Sequence, residues 1–185
     1  MASASPRRRE LLSGLDIPFE VKVLPAVCED YPDTLPKEDV ALFIAKEKAS
    51  AYSVTFDELL ITADTVVVVD DEILGKPRDA EEAHAMLRAL SGKTHRVISG
   101  VCLTTQTEQR AFAVTTNVTF KELSDEEIDY YVTHYSPLDK AGAYGIQEWI
   151  GYTAVTGIEG SYFNVVGLPV QRIADELKKM NVVEI

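Results

Sequence analysis

Residues 59–69 read Leu-Leu-Ile-Thr-Ala-Asp-Thr-Val-Val-Val-Val, and this stretch constrains the fold more than any other. A run so rich in β-branched and aliphatic residues predicts a strand. It does not alternate with polar residues, so the strand is expected to be covered on both faces. Asp64 is the exception within it. A carboxylate in such a run needs a cation, a metal or hydrogen-bond donors, because an isolated buried charge is too costly to keep. Past the turn Asp70-Asp71-Glu72 comes Gly75-Lys76-Pro77, a lysine between a flexible and a rigid residue. Asp64 and Lys76 are expected to face one site.

A chain of 185 residues is expected to form one domain over 1–185, burying roughly two-thirds of its unfolded surface. The net charge of −12 argues against broad nucleic-acid or anionic-membrane binding, since both need an excess of Lys and Arg. An anionic ligand must then be caught locally. The two cysteines, Cys28 and Cys102, form no CxxC and no Cys/His cluster, which predicts buried thiols in a reducing compartment. No run approaches the roughly 18 apolar residues of a membrane span. The expected setting is the cytoplasm.

Ser5 can cap a helix with Pro6 at its first position, Leu11, Leu12 and Leu15 inward and Gly14 at its end. Arg7, Arg8 and Arg9 fall in the first turn, where positive charge opposes the helix dipole by about 0.3 to 1 kcal/mol each. Two readings stand: a solvated basic turn, or a turn whose charge is balanced by a bound anion such as phosphate. Residues 17–27 alternate as a half-buried strand does, with Phe19, Val21 and Val23 inward, and Glu29 follows in a loop. A helix from about Pro36 to Tyr52 carries Val40, Phe43, Ile44 and Ala51 on one face. Lys48 lies on that apolar stripe and Lys46 opposite it. Lys48 is either a snorkelling stripe-edge lysine or one with a buried partner.

Asp79 with Glu82, and Ser124 with Glu127, read as capping boxes of two further helices. Between them, Val97 to Thr104 and Arg110 to Phe120 alternate as an antiparallel hairpin. His84, His95 and His134 lack ligand spacing and read as structural or surface residues. Toward the C-terminus, Tyr152 to Ile158 and Phe163 to Leu168 read as strands and Pro169 opens a last helix, with Val182-Val183 as an added edge strand. The stretch Leu138 to Gln147 stands apart, since its Gly and Ala residues permit close backbone approach. Gln147 can offer donor and acceptor to the edge of a base, or simply pair with backbone.

Taken together, Ser3-Ala4-Ser5-Pro6-Arg7-Arg8, Ala63-Asp64-Thr65, Gly75-Lys76-Pro77, Asp139 to Gln147 and Asn164-Val165-Val166-Gly167-Leu168-Pro169 resemble the Maf family, in that family's order and over nearly the whole chain. The resemblance implies a house-cleaning pyrophosphatase that cuts nucleoside triphosphates between the α- and β-phosphates. It also implies an elongated α/β fold, a mixed β-sheet with flanking helices like that of the inosine triphosphate pyrophosphatases, with a central cleft. Lys140 and Gln147 resemble the branch acting on dTTP and UTP, with modified pyrimidine triphosphates as further substrates.

Carried over residue by residue, the resemblance puts the metal-organising or basic acid on Asp64, with Lys48 and Lys76 as catalytic lysines. Substrate contacts fall on Ser5, Arg7, Arg8, Thr65, Lys140 and Gln147. Asp64 and Glu29 are the metal candidates, for Mg²⁺, Mn²⁺ or Co²⁺. The expected partners are the nucleoside triphosphate and a second copy of the chain, with no nucleic acid and no membrane. The sequence departs from the family pattern in two places. The apolar residues that usually precede Ala-Ser-x-Ser-Pro-Arg-Arg as a first strand are nearly missing, and Glu148 stands where glycine is common, followed by Trp149. A carboxylate and a bulky ring beside Gln147 are expected to alter selectivity. Two other functions fit less of the pattern: a nucleotide-binding regulator of septum formation and cell division, and an inosine or xanthosine triphosphate pyrophosphatase.

Overall fold

The strand predicted around Asp64 is present in the computed structural model, which describes residues 1–24 and 29–182. Strand β1 takes Leu60–Val69, and every residue in it is buried except Asp64 and Thr65, which are half-buried. Asp70 and Asp71 both adopt left-handed backbone, with φ of 49° and 63°. Two such residues make the turn that matches the twist of a hairpin. It returns the chain as β2 (Glu72–Leu74), antiparallel to β1 with Val67 opposite Leu74. The expected hairpin downstream is β3 (Thr94–Thr104) and β4 (Gln109–Phe120). With β5 (Val155–Glu159) these form one five-stranded sheet in the order β2-β1-β3-β4-β5.

Helices accompany the sheet, giving a mixed α/β fold: α1 (Pro6–Ser13), α2 (Lys37–Ser50), α3 (Ala80–Leu90), α4 (Asp125–Tyr135), α5 (Trp149–Ala154), α6 (Tyr162–Val166) and α7 (Val170–Lys179). Their starts follow the capping chemistry of the sequence. Ser124 and Glu127 form the reciprocal box at α4. At α3 only half of it forms. Asp79 accepts the Glu82 N–H, but the Glu82 carboxylate turns to the N–H of Arg78 instead.

The described residues gather into two compact units. The described parts of Met1–Thr65, Ser99–Val114 and the chain from Gly167 make one, with Leu12, Ile61, Val101, Leu103, Leu168 and Ile173 in its core. Val66–Ile98 and Thr115–Val166 make the other, whose core holds Val67, Leu87, Leu90, Phe120, Ile128 and Tyr131. Strands β1, β3 and β4 each supply residues to both units.

Three sequence expectations are corrected. Residues 17–24 form no strand, and residues 25–28, Cys28 included, lie outside the described part. Val21 and Val23, expected inward, are exposed. The hydrogen bonds of this segment go to Met1 and to the Tyr52 hydroxyl rather than to a strand ladder. Met1 and Ala2 are themselves buried, and Ala2 N–H donates to Ile61 O on β1. Second, Tyr152 to Ala154 belong to α5, so the strand begins only at Val155. A Cβ on Gly151 would meet Ile146 O at 1.7 Å, so its absence lets this helical turn pack. Third, 163–168 is not a strand. Tyr162–Val166 is a helical turn that leaves Phe163 exposed and drives the Asn164 amide inward, where it donates to Val97 O at 3.1 Å and Thr116 Oγ1 at 3.0 Å. Val182 has no regular structure and Val183 lies outside the described residues.

Among the described residues no helix is long and apolar enough to cross a membrane. Cys102 is a buried free thiol. His84 contacts Asp129 and His134 the backbone of Tyr130, both toward solvent, while His95 is buried against Tyr144 and Phe120.

Two predictions follow from the packing. A Cβ on Gly100 would lie 2.3 Å from the backbone of Ala41 and Leu42, so Gly100→Ala must push α2 off β3. It is expected to destabilise by about 1 to 3 kcal/mol, read as a lower urea midpoint. Separately, burial lowers the His95 pKa to about 4, below its ordinary value near 6.5. The neutral ring therefore stabilises the fold fully above pH 6.5, and this is lost progressively as pH falls toward 4. The loss is on the order of 3 kcal/mol. Urea unfolding of wild type and His95→Gln between pH 4 and 7 should show the steeper acid loss in wild type, and equal slopes would refute it.

Candidate functional site

The first group of site residues belongs to the unit that contains the N-terminus. Ser5 caps α1, its Oγ accepting the Arg8 N–H at 3.4 Å. The Arg8 side chain turns back from that first turn into the protein. Its Nε donates to Gly167 O at 2.9 Å, Nη1 to Ala63 O at 2.7 Å and Nη2 to Thr65 Oγ1 at 3.0 Å. A guanidinium has five N–H donors, so most of this one is spent on the chain itself. Thr65 Oγ1 also lies 2.8 Å from Ser99 Oγ. Burial lowers the Arg8 pKa, Asp64 and Glu29 oppose that, and Arg7 adds to it. An arginine nonetheless stays charged.

Helix α2 delivers the second cation. Lys48 lies on its inward face as the stripe predicts, while Lys46 is exposed. Lys48 Nζ is 2.8 Å from Asp64 Oδ1 and 2.7 Å from Glu29 Oε1. The Lys48 and Asp64 side chains are each 14% exposed and Glu29 is 56% exposed, so the first pair is shielded and the second is open to solvent. The awkward carboxylate of β1 thus has its cation. Arg7, Arg8 and Lys48 set three positive charges against the two of Asp64 and Glu29, a local excess in a chain of net charge −12. Such a spot can hold an anion that the rest of the surface repels.

The second group belongs to the other unit. Lys76 is exposed beside buried Pro77, and Gly75 O accepts the Gly142 N–H at 3.0 Å, fastening the lysine turn to the 139–148 segment. Lys140 is buried, with Nζ 2.7 Å from Asp139 Oδ1 and 3.1 Å from Glu148 Oε1. Gln147 is half-buried, and its Oε1 has no hydrogen-bond partner among the described residues. Asp64 and Lys76 thus belong to different units.

Among the described residues no group of three or more His, Cys, Asp or Glu is placed to hold a metal ion. Asp64 and Glu29, joined through the Lys48 ammonium, are the carboxylates nearest that role. A pair suits a hard cation such as Mg²⁺, which takes one or two carboxylates and completes its shell with water and substrate phosphates.

Sequence reasoning missed three groups that hold these residues in place. Ser99 steadies Thr65, but a serine inside an apolar strand gives no signal. Tyr131 is a buried aromatic residue of α4, and nothing in its spacing reveals that its hydroxyl reaches the Glu148 carboxylate. Glu148 itself stood out only as an extra charge.

The family model described as Maf-like protein matches residues 1–180. A dTTP/UTP pyrophosphatase of Phocaeicola vulgatus is 63% identical over 182 residues, covering 97% of this chain and 94% of the relative. One from Porphyromonas gingivalis is 58% identical, covering 96% and 92%. One from Bacteroides fragilis is 56% identical, covering 97% and 94%.

The shared ammonium sets an order of effects. Lys48→Met leaves two carboxylates facing each other and is expected to cost about 1 to 3 kcal/mol. Asp64→Asn should cost less, because Lys48 keeps Glu29. Urea midpoints of the two variants check this; equal midpoints would show that the pair is not coupled through Lys48.

Proposed function

We propose that this chain, which belongs to the Maf family, hydrolyses nucleoside triphosphates between the α- and β-phosphates and prefers dTTP and UTP. Support for the substrate class comes from the dTTP/UTP pyrophosphatases that are 56–63% identical over nearly the full length of both chains. The structural observation that carries the reading is the Lys48–Asp64 pair, 2.8 Å apart, which joins α2 to the middle of the buried strand β1. Cleaving a phosphoanhydride requires neutralised phosphate charge and an oriented water, and little other chemistry from the protein.

In this reading Asp64 orients the attacking water and accepts its proton, and Lys48 holds the Asp64 carboxylate in place. Asp64 and Glu29 would hold a divalent cation, Mg²⁺, Mn²⁺ or Co²⁺. Such an ion, when bound, offsets phosphate charge and makes water more acidic. Ser5, Arg7, Lys76 and Lys140 hold the phosphates. Arg8 adds its charge and fixes Thr65, which faces the nucleoside.

Gln147 supports the choice of base. Its buried Oε1 is an acceptor in want of a donor, and an unpaired buried acceptor is costly. Thymine and uracil present an N3–H at their pairing edge, whereas cytosine presents an acceptor there, so the amide oxygen favours the former pair. House-cleaning removal of modified pyrimidine triphosphates, a cytoplasmic setting and a homodimeric state complete the proposal; sedimentation tests the last.

Pyrophosphate release from dTTP, UTP, dCTP, ITP and XTP, each with Mg²⁺, Mn²⁺ or Co²⁺, tests the reading. Turnover should be fastest with dTTP and UTP, should stop with EDTA, and should return when the metal is restored. Asp64→Asn should lower kcat by about 100-fold or more while the protein stays folded. No pyrophosphate from any pyrimidine triphosphate would sink the proposal.

A further inference from the structure

Lys140 is enclosed by more structure than a salt bridge requires. Its two carboxylate partners differ. Asp139 is 60% exposed and Glu148 only 22%, against 9% for Lys140 itself. An exposed partner does little to fix a lysine. Glu148 is held from several sides. One of its carboxylate oxygens accepts the hydroxyl of Tyr131, a fully buried residue of α4, while the other faces Lys140. The Tyr131 oxygen in turn accepts the Gly145 N–H at 3.0 Å. The Glu148 N–H donates to Gly145 O at 3.0 Å, and Glu148 O accepts the Gly151 N–H at 2.9 Å.

Gly145 completes the enclosure. A Cβ there would lie 2.9 Å from Glu148 Cδ and 3.0 Å from Lys140 Cε, so only glycine leaves room for the two side chains to meet. Burial first, and then the hydrogen bond to Glu148, raise the Tyr131 pKa, keeping it a donor at working pH. An ammonium has three N–H donors. Asp139 accepts one at 2.7 Å, and Glu148 Oε1 faces the ammonium as an ion-pair partner at 3.1 Å, so the two carboxylates restrict how it can turn.

We infer that Glu148, anchored by Tyr131, is the positioning residue of Lys140, aiming this ammonium at an anionic oxygen of the nucleotide. The inference rests on the reading of Lys140 as a substrate contact. A rigid carboxylate that fixes a lysine reduces what the lysine must lose on binding phosphate. Glu148→Gln removes the charge but keeps an oxygen for Tyr131. Tyr131→Phe keeps the charge but frees the carboxylate.

The test has one arm without substrate and one with it. Lysine-selective ¹⁵N NMR of the full chain identifies the Lys140 ammonium by its disappearance in Lys140→Met. Glu148→Gln and Tyr131→Phe should each move that signal and speed its proton exchange, leaving the other lysine signals in place. In steady-state turnover of dTTP each variant should lower kcat/KM about tenfold, and the double variant should be no worse than the poorer single one, as for residues acting as a unit. An unmoved Lys140 signal in Glu148→Gln overturns the inference outright. A moved signal with unchanged kcat/KM overturns it through the role given to Lys140. Wild-type protein that turns over no pyrimidine triphosphate overturns the functional reading separately, because the NMR arm needs no activity.

Discussion

Asp64 can occupy the middle of β1 only because Lys48 stands against it. The strand is buried for four residues on either side of the Asp64-Thr65 step, and a lone carboxylate there would be expelled or neutralised. The pair therefore ties α2 to β1 electrostatically as well as by packing. Its partner contacts depend on the same geometry. Gly100 lets α2 approach β3 closely, the Thr62 hydroxyl of β1 donates to Ala45 O of that helix at 2.7 Å, and Lys48 is then within reach of the acid. The ion pair at Asp64 is a consequence of how closely a helix can be laid on a strand.

A recurring device runs through both units. In each, a side chain proposed to meet the nucleotide is held by neighbouring groups of the chain itself. Arg8 and Ser99 hold Thr65, and Glu148 and Tyr131 hold Lys140. Residues held this way lose less freedom when a substrate arrives. The cost is local charge compensation: Lys140 faces two carboxylates and Lys48 faces two more. Neither lysine is a free cation, and any anion that approaches either must compete with its carboxylates.

Much of this was legible in the residues. The valine run, the anomalous Asp64, the stripe position of Lys48 and the caps at Ser5 and Ser124 each follow from a local rule that the fold obeys. What failed were segments whose conformation is decided by distant partners. The alternation at 17–24 promised a strand, but no ladder receives it. Residues 163–168 looked apolar enough for a strand, yet Asn164 needed Val97 O and Thr116 Oγ1, and a helical turn delivers it there. The roles of Ser99 and Tyr131 were hidden for a related reason, since a hydroxyl on an otherwise inward face does not reveal its partner.

Arg8 draws together parts of the chain that are made far apart in time. Its hydrogen bonds run to Ala63 O and Gly167 O, which lie 55 and 159 residues further along. Contacts of such separation close large loops and form late. The hydrogen bonds of Arg8 to Ala63 and Thr65 need only β1, but the one to Gly167 needs a residue 159 positions further along. The full set of hydrogen bonds around the first-turn arginine therefore closes only when the Gly167 segment reaches it, so this corner joins the start of α1 to a part of the fold far along the chain.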